Sequence, residues 1–385
     1  MTRAPAAAKS RISELDGLRG IAILLVLAFH YTPVSGPLHF FAHVFQVGWI
    51  GVDLFFVLSG YLITGILVDS VGRAHYYQNF IVRRCLRIFP LYYACLVLYC
   101  VLSYYPDPIQ WKEFLNHGGW WYAAYLGNVM TFRENHWPEV ALLTPLWSLQ
   151  VEEQFYLSFP LVVWALRRTT LAKVLAGSIP AALVLRIVLL LAMPKNIVGT
   201  YILMPCRMDA LAMGGWIAIT RRDAPERLQS RWIGWMTAVC AAIFLCFYLT
   251  LAAGPWSGPM RTIGYTALDL AFAGVVVMLV AWRQRFLLAL CRMRFLVWLG
   301  TISYGLYLFH VPAAMIGRRL AAHVVKIAPY GSAEFFVSMA TAMGMAWISW
   351  TIFESRILKL KDRFTVGQAG SKPAATSAKT EPLPS

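Results

Sequence analysis

Long apolar runs alternate with short polar gaps along the chain. A helix that crosses a bilayer core needs about 20 mostly apolar residues. Ten stretches meet that length and character, at roughly 17–35, 47–68, 88–105, 144–166, 172–193, 200–219, 231–252, 263–282, 295–317 and 333–353. An eleventh, 118–132 (GGWWYAAYLGNVMTF), is short and rich in the aromatics that favour the membrane interface, so it reads as interfacial or re-entrant. Backbone polar groups in lipid must be satisfied within the segment, which makes these runs helices. The pattern therefore predicts an all-α fold, a polytopic membrane bundle of about ten transmembrane helices occupying 13–360. Residues 1–12 and 361–385 are small, polar and proline-bearing, and read as disordered cytoplasmic ends. PVSGP after His30 offers no A-x-A-like cleavage site, so the first run is expected to stay as a helix.

Composition agrees: 59% of the 385 residues are hydrophobic, 14% are charged, and the mean hydropathy is +0.59. Soluble proteins average about 45–50% apolar and about 25% charged residues. A water-soluble domain, a disordered chain and a small disulfide scaffold are excluded. The net charge of +16 would suit nucleic acid if it were clustered on one face. Instead, 25 basic residues fall in one set of gaps and 7 in the alternate set. That asymmetry marks cytoplasmic loops, places both termini in the cytoplasm, and leaves no nucleic-acid partner to invoke. Counting 118–132 as a span would move Arg167, Arg168 and Lys173 outside. The seven cysteines include no C-x-x-C pair, so no metal site is indicated. The absence of an internal repeat counts mildly against an inverted-repeat transporter.

Ionisable groups inside these runs carry the chemical information, because each costs about 2.5–3.5 kcal/mol near the bilayer centre. Arg19, His30, Asp53, Glu152, Glu153, Arg186, Arg207, Asp209, Asp269 and His310 all lie in or at the ends of spans. Arg19 and His30 are eleven residues apart, which returns to nearly the same helix face roughly 16 Å further along the axis. Arg186 and Asp269 fit helix gluing as well as function. On this topology Asp53, Glu152, Glu153, Arg207, Asp209 and His310 fall from the midplane outward. Arg83, Arg84 and Arg87 fall at the inner surface. An imidazole base with carboxylates outside, and a cationic cluster inside, suits an anionic cytoplasmic donor meeting a hydroxyl acceptor from the other side. Arginines grip phosphates bidentately, although topology-setting charge is the plainer reading of the cluster alone. The rival is a transporter or flippase using the buried charges as a proton relay, and a non-catalytic scaffold is a third reading.

These residues stand in strings that resemble the acyltransferase-3 family of integral-membrane O-acyltransferases, from about 13 to 360. ELDGLRGIAILLVLAFH holds Arg19 and His30. GVDLFFVLSGYLIT holds Asp53, Ser59 and Gly60. RRCLRIFPLYY holds Arg84 and Arg87, WSLQVEEQFYLSFP holds Trp147, Ser148, Glu152, Glu153 and Tyr156, RMDALAMGG holds Arg207, Asp209 and Gly214, and ISYGLYLFHVP holds Ser303, Tyr304, Tyr307 and His310. Six strings in order are specific where each alone is weak. One departure is Ser355, where the family usually shows proline after the glutamate.

The resemblance implies transfer of an acyl group, usually acetyl from acetyl-CoA, to a hydroxyl of a carbohydrate such as O-antigen (lipopolysaccharide), exopolysaccharide or peptidoglycan. It also implies a multi-pass protein of the bacterial cytoplasmic membrane. With the charge placement it suggests roles. Arg83, Arg84 and Arg87 would hold the acyl-CoA phosphates. His30 would act as general base, or take the acyl group itself. Glu152 or Glu153 would orient that imidazole, Arg19 would orient the donor or counter charge developing at the thioester, and Asp53 would complete the set. Trp147, Ser148, Tyr156, Arg207, Asp209, Tyr304 and His310 would line the substrate or support it. Trp120, Trp121, Tyr122 and Trp137 could stack on sugars, although an ordinary interfacial belt is the commoner explanation. Some relatives carry an added extracytoplasmic domain. No segment of that size follows 353, so the expectation is action alone or with a separate acyl-handling partner outside the membrane.

Overall fold

The computed structural model describes residues 13–104, 118–138, 140–250, 254–323 and 331–360, so the expected disordered ends at 1–12 and 361–385 lie outside it. Among the described residues the fold is helical and contains no strand; the single isolated bridge pairs Ser35 with Gly331. The principal helices are α1 (Ser13–His30), α2 (Gly51–Ser70), α3 (Tyr76–Tyr104), α4 (Leu146–Ala165), α5 (Arg168–Ala192) and α6 (Met208–Asp223). They continue as α7 (Arg231–Thr250), α8 (Tyr265–Val280), α9 (Arg294–Thr301), α10 (Ser303–His323) and α11 (Ser332–Ser349), which runs on through a π-turn at Trp350–Glu354.

Six helical stretches are long and apolar enough to cross a membrane: Pro37–Ser70, Tyr76–Val101, Arg168–Ala192, Arg231–Thr250, Met260–Val280 and Ser332–Leu360. The pair α9 and α10, bent by 77° at its junction, makes a seventh if taken as one span. The other expected runs fall short for physical reasons. Helix α1 carries Glu14, Asp16 and Arg19, and α4 carries Gln150, Glu152, Glu153 and Gln154. The 200–219 run is broken into Gly199–Ile202, a 3-10 turn at Met204–Arg207, and α6. The aromatic segment at 118–132 forms two short helices, Gly119–Ala123 and Gly127–Glu134, separated by Tyr125 at φ 57°. Neither has the length to span a bilayer.

Packing separates the helices into an inner and an outer set. Helix α2 is buried and crosses α6 closely: a Cβ on Gly60 would collide with the Leu211 carbonyl, and one on Gly214 with the Val57 carbonyl. Backbones approach this closely only where both residues are small, the usual device for joining helices in lipid. Helix α1 packs on α2 and α9, α5 on α6, α7 on α8, and α10 on α11. By contrast α5, α7 and α11 leave large apolar side chains exposed, among them Leu191, Trp232, Trp235, Leu249, Phe336 and Trp347. Such all-round apolar helices suit a lipid surface.

Candidate active site

A cavity of about 720 Å³ runs between α1, α2, α3, α4 and α10. It opens beside the turn joining α2 to α3, where Ser70, Arg73 and Ala74 line it. Helix α3 gives it one continuous wall, because Asn79, Phe80, Arg83, Arg84 and Arg87 recur at three- and four-residue steps on one face. Five arginines line the cavity (Arg19, Arg73, Arg83, Arg84 and Arg87) against four carboxyls (Asp16, Glu152, Glu153 and Glu354).

The arginines are held by local packing. The Arg84 guanidinium lies 5.5 Å from the centroid of the Phe80 ring and 5.4 Å from that of Tyr156. Tyr156 shares a 2.6 Å hydrogen bond with Ser59, and both hydroxyls reach the Glu152 carboxylate. The cations facing Glu152 are Arg19 and Arg84; Arg19 also faces Asp16 and Arg87. Glu153 is buried, and its Oε1 has no hydrogen-bond partner. Stacking of Arg84, and the placement of Arg19 and Arg84 beside Glu152, hold these two guanidiniums at the cavity wall, a setting suited to recognition of an anion.

At the deep end Ser148 Oγ lies 2.6 Å from the Tyr307 hydroxyl, which donates to the Pro145 carbonyl at 2.8 Å. Tyr304 donates to the Ile88 carbonyl at 2.7 Å, joining α10 to α3. One helical turn past Tyr307 is His310. Its fully buried ring sits 5.5 Å from the Tyr307 ring and 4.4 Å from the His30 ring. His30 is exposed, at the opposite end of α1 from Asp16 and Arg19. Both imidazoles are fixed through the same nitrogen. His30 Nδ1 lies 2.9 Å from the Val26 carbonyl and His310 Nδ1 2.5 Å from the Tyr307 carbonyl. A carbonyl only accepts, so each Nδ1 carries the hydrogen and each Nε2 presents a lone pair. Tyr31 fastens α1 to α10 by donating to the His310 carbonyl at 2.7 Å.

A second constellation is closed off from the cavity. Asp53 on α2 is ion-paired with Arg207, and Arg186 on α5 with Asp209 at 2.8 Å. Arg186 also donates to the Cys206 carbonyl and to Thr266, which in turn donates to Asp209 at 2.9 Å. The Arg207 guanidinium lies 4.4 Å from the Tyr265 ring centroid. Asp269 on α8 is the fifth ionisable member, with neither carboxylate oxygen hydrogen-bonded. All five groups have no exposed surface.

The structure thus gathers Arg19, Arg83, Arg84, Arg87, Ser148, Glu152, Glu153, Tyr156 and Tyr304 around one cavity. It corrects two expected placements. Glu152 and Glu153 do not orient His30: they face Arg19 and Arg84, and the ring beside His30 is His310. Asp53 is not in the cavity either, because its carboxylate is engaged by Arg207 in the closed cluster that also takes Arg186, Asp209 and Asp269. Trp147 packs on Phe56 and Tyr201 rather than facing the cavity. Ser59, Tyr307, Glu354 and Asp16 also line the cavity, and none of them had been given a role from sequence. Ser59 and Tyr307 stood in the motif strings. Asp16 precedes Arg19 by three residues, one helical turn. Glu354 is turned inward by the π-turn at 350–354, where Ser349 donates to it at 3.0 Å, and no sequence signal marks that turn.

No solved structure matches the chain. It is 30% identical over 332 residues to YrhL of Bacillus subtilis strain 168, covering 79% of this chain and 49% of that protein. It is 26% identical over 384 residues to the peptidoglycan O-acetyltransferase OatA of Listeria monocytogenes, covering 93% of this chain and 58% of the relative. It is 36% identical over 159 residues to the O-acetyltransferase OatA of Staphylococcus aureus, covering 39% and 24%. The chain spans about half the length of the first two relatives. Residues 12–353 match the acyltransferase domain described as Acyl_transf_3, and by that match over nearly its whole length the chain belongs to the acyltransferase-3 family of integral membrane proteins.

Proposed function

We propose that the protein is a membrane O-acyltransferase that moves an acyl group, acetyl in the first instance, from cytoplasmic acyl-CoA to a hydroxyl of a cell-surface or secreted carbohydrate. One observation carries the reading: an arginine-lined cavity ends, at Ser148 and Tyr307, against a pair of imidazoles whose outer member is exposed on the far side. The donor's phosphates pair with Arg73, Arg83, Arg84 and Arg87 near the mouth, and the thioester reaches toward Tyr307. His30 accepts the proton of the attacking hydroxyl. Arg19, set deeper and beside Glu152, steadies the donor arm or the charge developing on the thioester carbonyl.

This reading requires ten membrane crossings with both termini in the cytoplasm, which puts the 70–76 turn and the cavity mouth on the cytoplasmic side. The membrane is then the bacterial cytoplasmic membrane. The name of the Listeria OatA relative makes peptidoglycan the first acceptor to test, ahead of lipopolysaccharide or exopolysaccharide. Asp53, Arg207 and Asp209 serve as scaffold, holding α2 and α6 in place behind the site. A separate partner that receives the acyl group outside the membrane is compatible with this geometry.

Proteoliposomes containing the full chain, supplied with radiolabelled acetyl-CoA and either purified peptidoglycan or chitotetraose, provide the test. Label on the carbohydrate is expected, and His30→Ala should slow its appearance by about 100-fold or more, the usual worth of a general base. Solute movement without consumption of acetyl-CoA would instead support a transporter. A His30→Ala protein that is folded and transfers at the wild-type rate would refute the base assignment.

A further inference from the structure

The wall that α2 gives the cavity runs the length of that helix. Val52, Phe56, Ser59, Ile63, Ile66 and Ser70 line it at alternating steps of four and three residues, which keeps them on one face. From Ser70 at the mouth to Val52 the stripe covers about 27 Å, at 1.5 Å per residue. Its surroundings change along the way. Ser59 is still among charges, since it is bonded to Tyr156 and reaches the Glu152 carboxylate. Beyond Ser59 the stripe is aromatic and aliphatic, with Phe56 and then Val52. There α4 adds Leu149 and the Ser148 hydroxyl, and α10 adds Tyr307. The Phe56 ring is held from behind. It is buried and stands edge-to-face with Trp147 at 6.0 Å and 82°, and the Trp147 ring lies 4.5 Å from that of Tyr201. Both backing rings are buried as well. A wall packed in this way yields little to an added carbon.

Resting on the acyl-transfer reading above, we infer that Phe56, backed by Trp147, selects the acyl group by its length, admitting acetyl and excluding butyryl and longer chains. With the thioester carbonyl beside Ser148 and Tyr307, the acyl chain points across the end of the cavity toward Phe56 and Val52. The side toward His30 is left for the acceptor. An acetyl methyl stops short of the ring, whereas two further carbons have to displace a side chain seated on a buried tryptophan. One methylene in a filled apolar pocket changes specificity by about 10- to 200-fold. Phe56 takes no part in making or breaking bonds, so its effect falls on the choice between donors.

Internal competition measures that choice. Proteoliposomes containing the full chain receive acetyl-CoA and butyryl-CoA at equal concentration, each with a different radiolabel on its acyl group, together with chitotetraose or purified peptidoglycan. The ratio of the two labels on the carbohydrate is the ratio of the two kcat/KM values, and it does not depend on how much of the protein is folded. The wild-type chain is expected to favour acetyl by about 100-fold or more. Phe56→Ala should bring the ratio to within about fivefold of unity, and Phe56→Leu, a milder change for folding, should fall between the two. Ile66→Ala, on the same stripe but nearer the mouth, should leave the wild-type ratio in place. A wild-type chain that takes butyryl as readily as acetyl overturns the inference. So does a ratio that neither Phe56 variant moves by more than about threefold, or one that Ile66→Ala shifts as far as Phe56→Ala does. Failure of the underlying reading looks different: a wild-type chain that puts neither label on carbohydrate removes the acyl-transfer proposal itself.

Discussion

The closed cluster of Asp53, Arg186, Arg207, Asp209 and Asp269 permits a quantitative prediction. It joins α2, α5, the turn before α6, α6 itself and α8, and every member is fully buried. Two guanidiniums face three carboxyls, so removal of one cation and removal of one anion differ sharply in consequence. Arg207→Met takes the partner from Asp53, removes the cation over Tyr265, and leaves Asp269 facing only Arg186. Stranding a charge in this way costs about 3–5 kcal/mol. Asp53→Asn should cost less, about 1–3 kcal/mol, because Arg207 keeps the Tyr265 face and Asp269 within reach. Asp269→Asn brings the cluster to two of each charge and should move stability by about 1 kcal/mol or less. The assay is reversible unfolding of the purified protein in mixed micelles by titration with a denaturing detergent, followed by tryptophan fluorescence. The double variant Asp53→Asn/Arg207→Met should recover about 1–3 kcal/mol relative to the sum of the single changes. If Arg207→Met proved as mild as Asp269→Asn, or if Asp53→Asn and Arg207→Met were additive within about 0.5 kcal/mol, the account of this cluster as an ion-paired clamp would be wrong.

Three other perturbations address the site and its frame. Arg84→Ala or Arg87→Ala should raise the KM for acetyl-CoA about 10- to 100-fold, the worth of a charge-assisted hydrogen bond. Transfer from S-acetyl-N-acetylcysteamine, which lacks the nucleotide, should change far less, and steady-state kinetics with both donors separate the two outcomes. Gly60→Leu or Gly214→Leu drives a side chain into the facing backbone of α6 or α2, so folded yield by fluorescence-detected size exclusion should collapse while Gly72→Leu, whose site has open space, tests only local strain. In a cysteine-free background, Arg73→Cys should react with a membrane-impermeant maleimide only from the cytoplasmic side and Val34→Cys only from outside. Labelling of both from one side would overturn the topology.

Much of the site was legible because charge is expensive in lipid. Arg19, Glu152 and Glu153 of the cavity, and Arg207 and Asp209 of the closed cluster, announced themselves by position alone, and the α3 arginines by their place at the inner end of a span. The partnerships were not legible, since they depend on the rotation and depth of helices far apart in sequence. Asp53 and Arg207 are 154 positions apart, and their ion pair depends on the close crossing of α2 and α6 beside Gly60 and Gly214. The pairing of His30 with His310 depends on the 77° bend between α9 and α10. The Gly-Thr-Ile-Ser stretch at 300–303 signals that bend only weakly, and the π-turn that turns Glu354 inward leaves no trace in composition.

Helices that are too charged, too short or too bent to read as single apolar spans supply much of the chemistry, and α3, a full-length apolar stretch, adds the arginines of the cavity wall. Helices α1, α4, α6 and the bent α9–α10 pair contribute Arg19, Glu152, Arg207, Tyr307 and His310, whereas α5, α7 and α11 present Leu191, Trp235 and Trp347 outward. This division follows from physical cost. An ionisable side chain is tolerated at membrane depth when protein or a water-filled cavity surrounds it, and surrounding it requires other helices that are apolar on every face. A weak hydropathy signal between two strong ones is then a sign of an inner helix rather than of a loop. In α1 and α4, Leu15, Ala22, Ile23, Val26, Val151 and Phe155 are buried against neighbouring helices despite the charges beside them. The same logic explains why the imidazole pair sits at the outer end of α1. For the proposed reaction, an exposed ring lets His30 meet a hydrophilic acceptor, while the arginine-lined cavity is left to the donor.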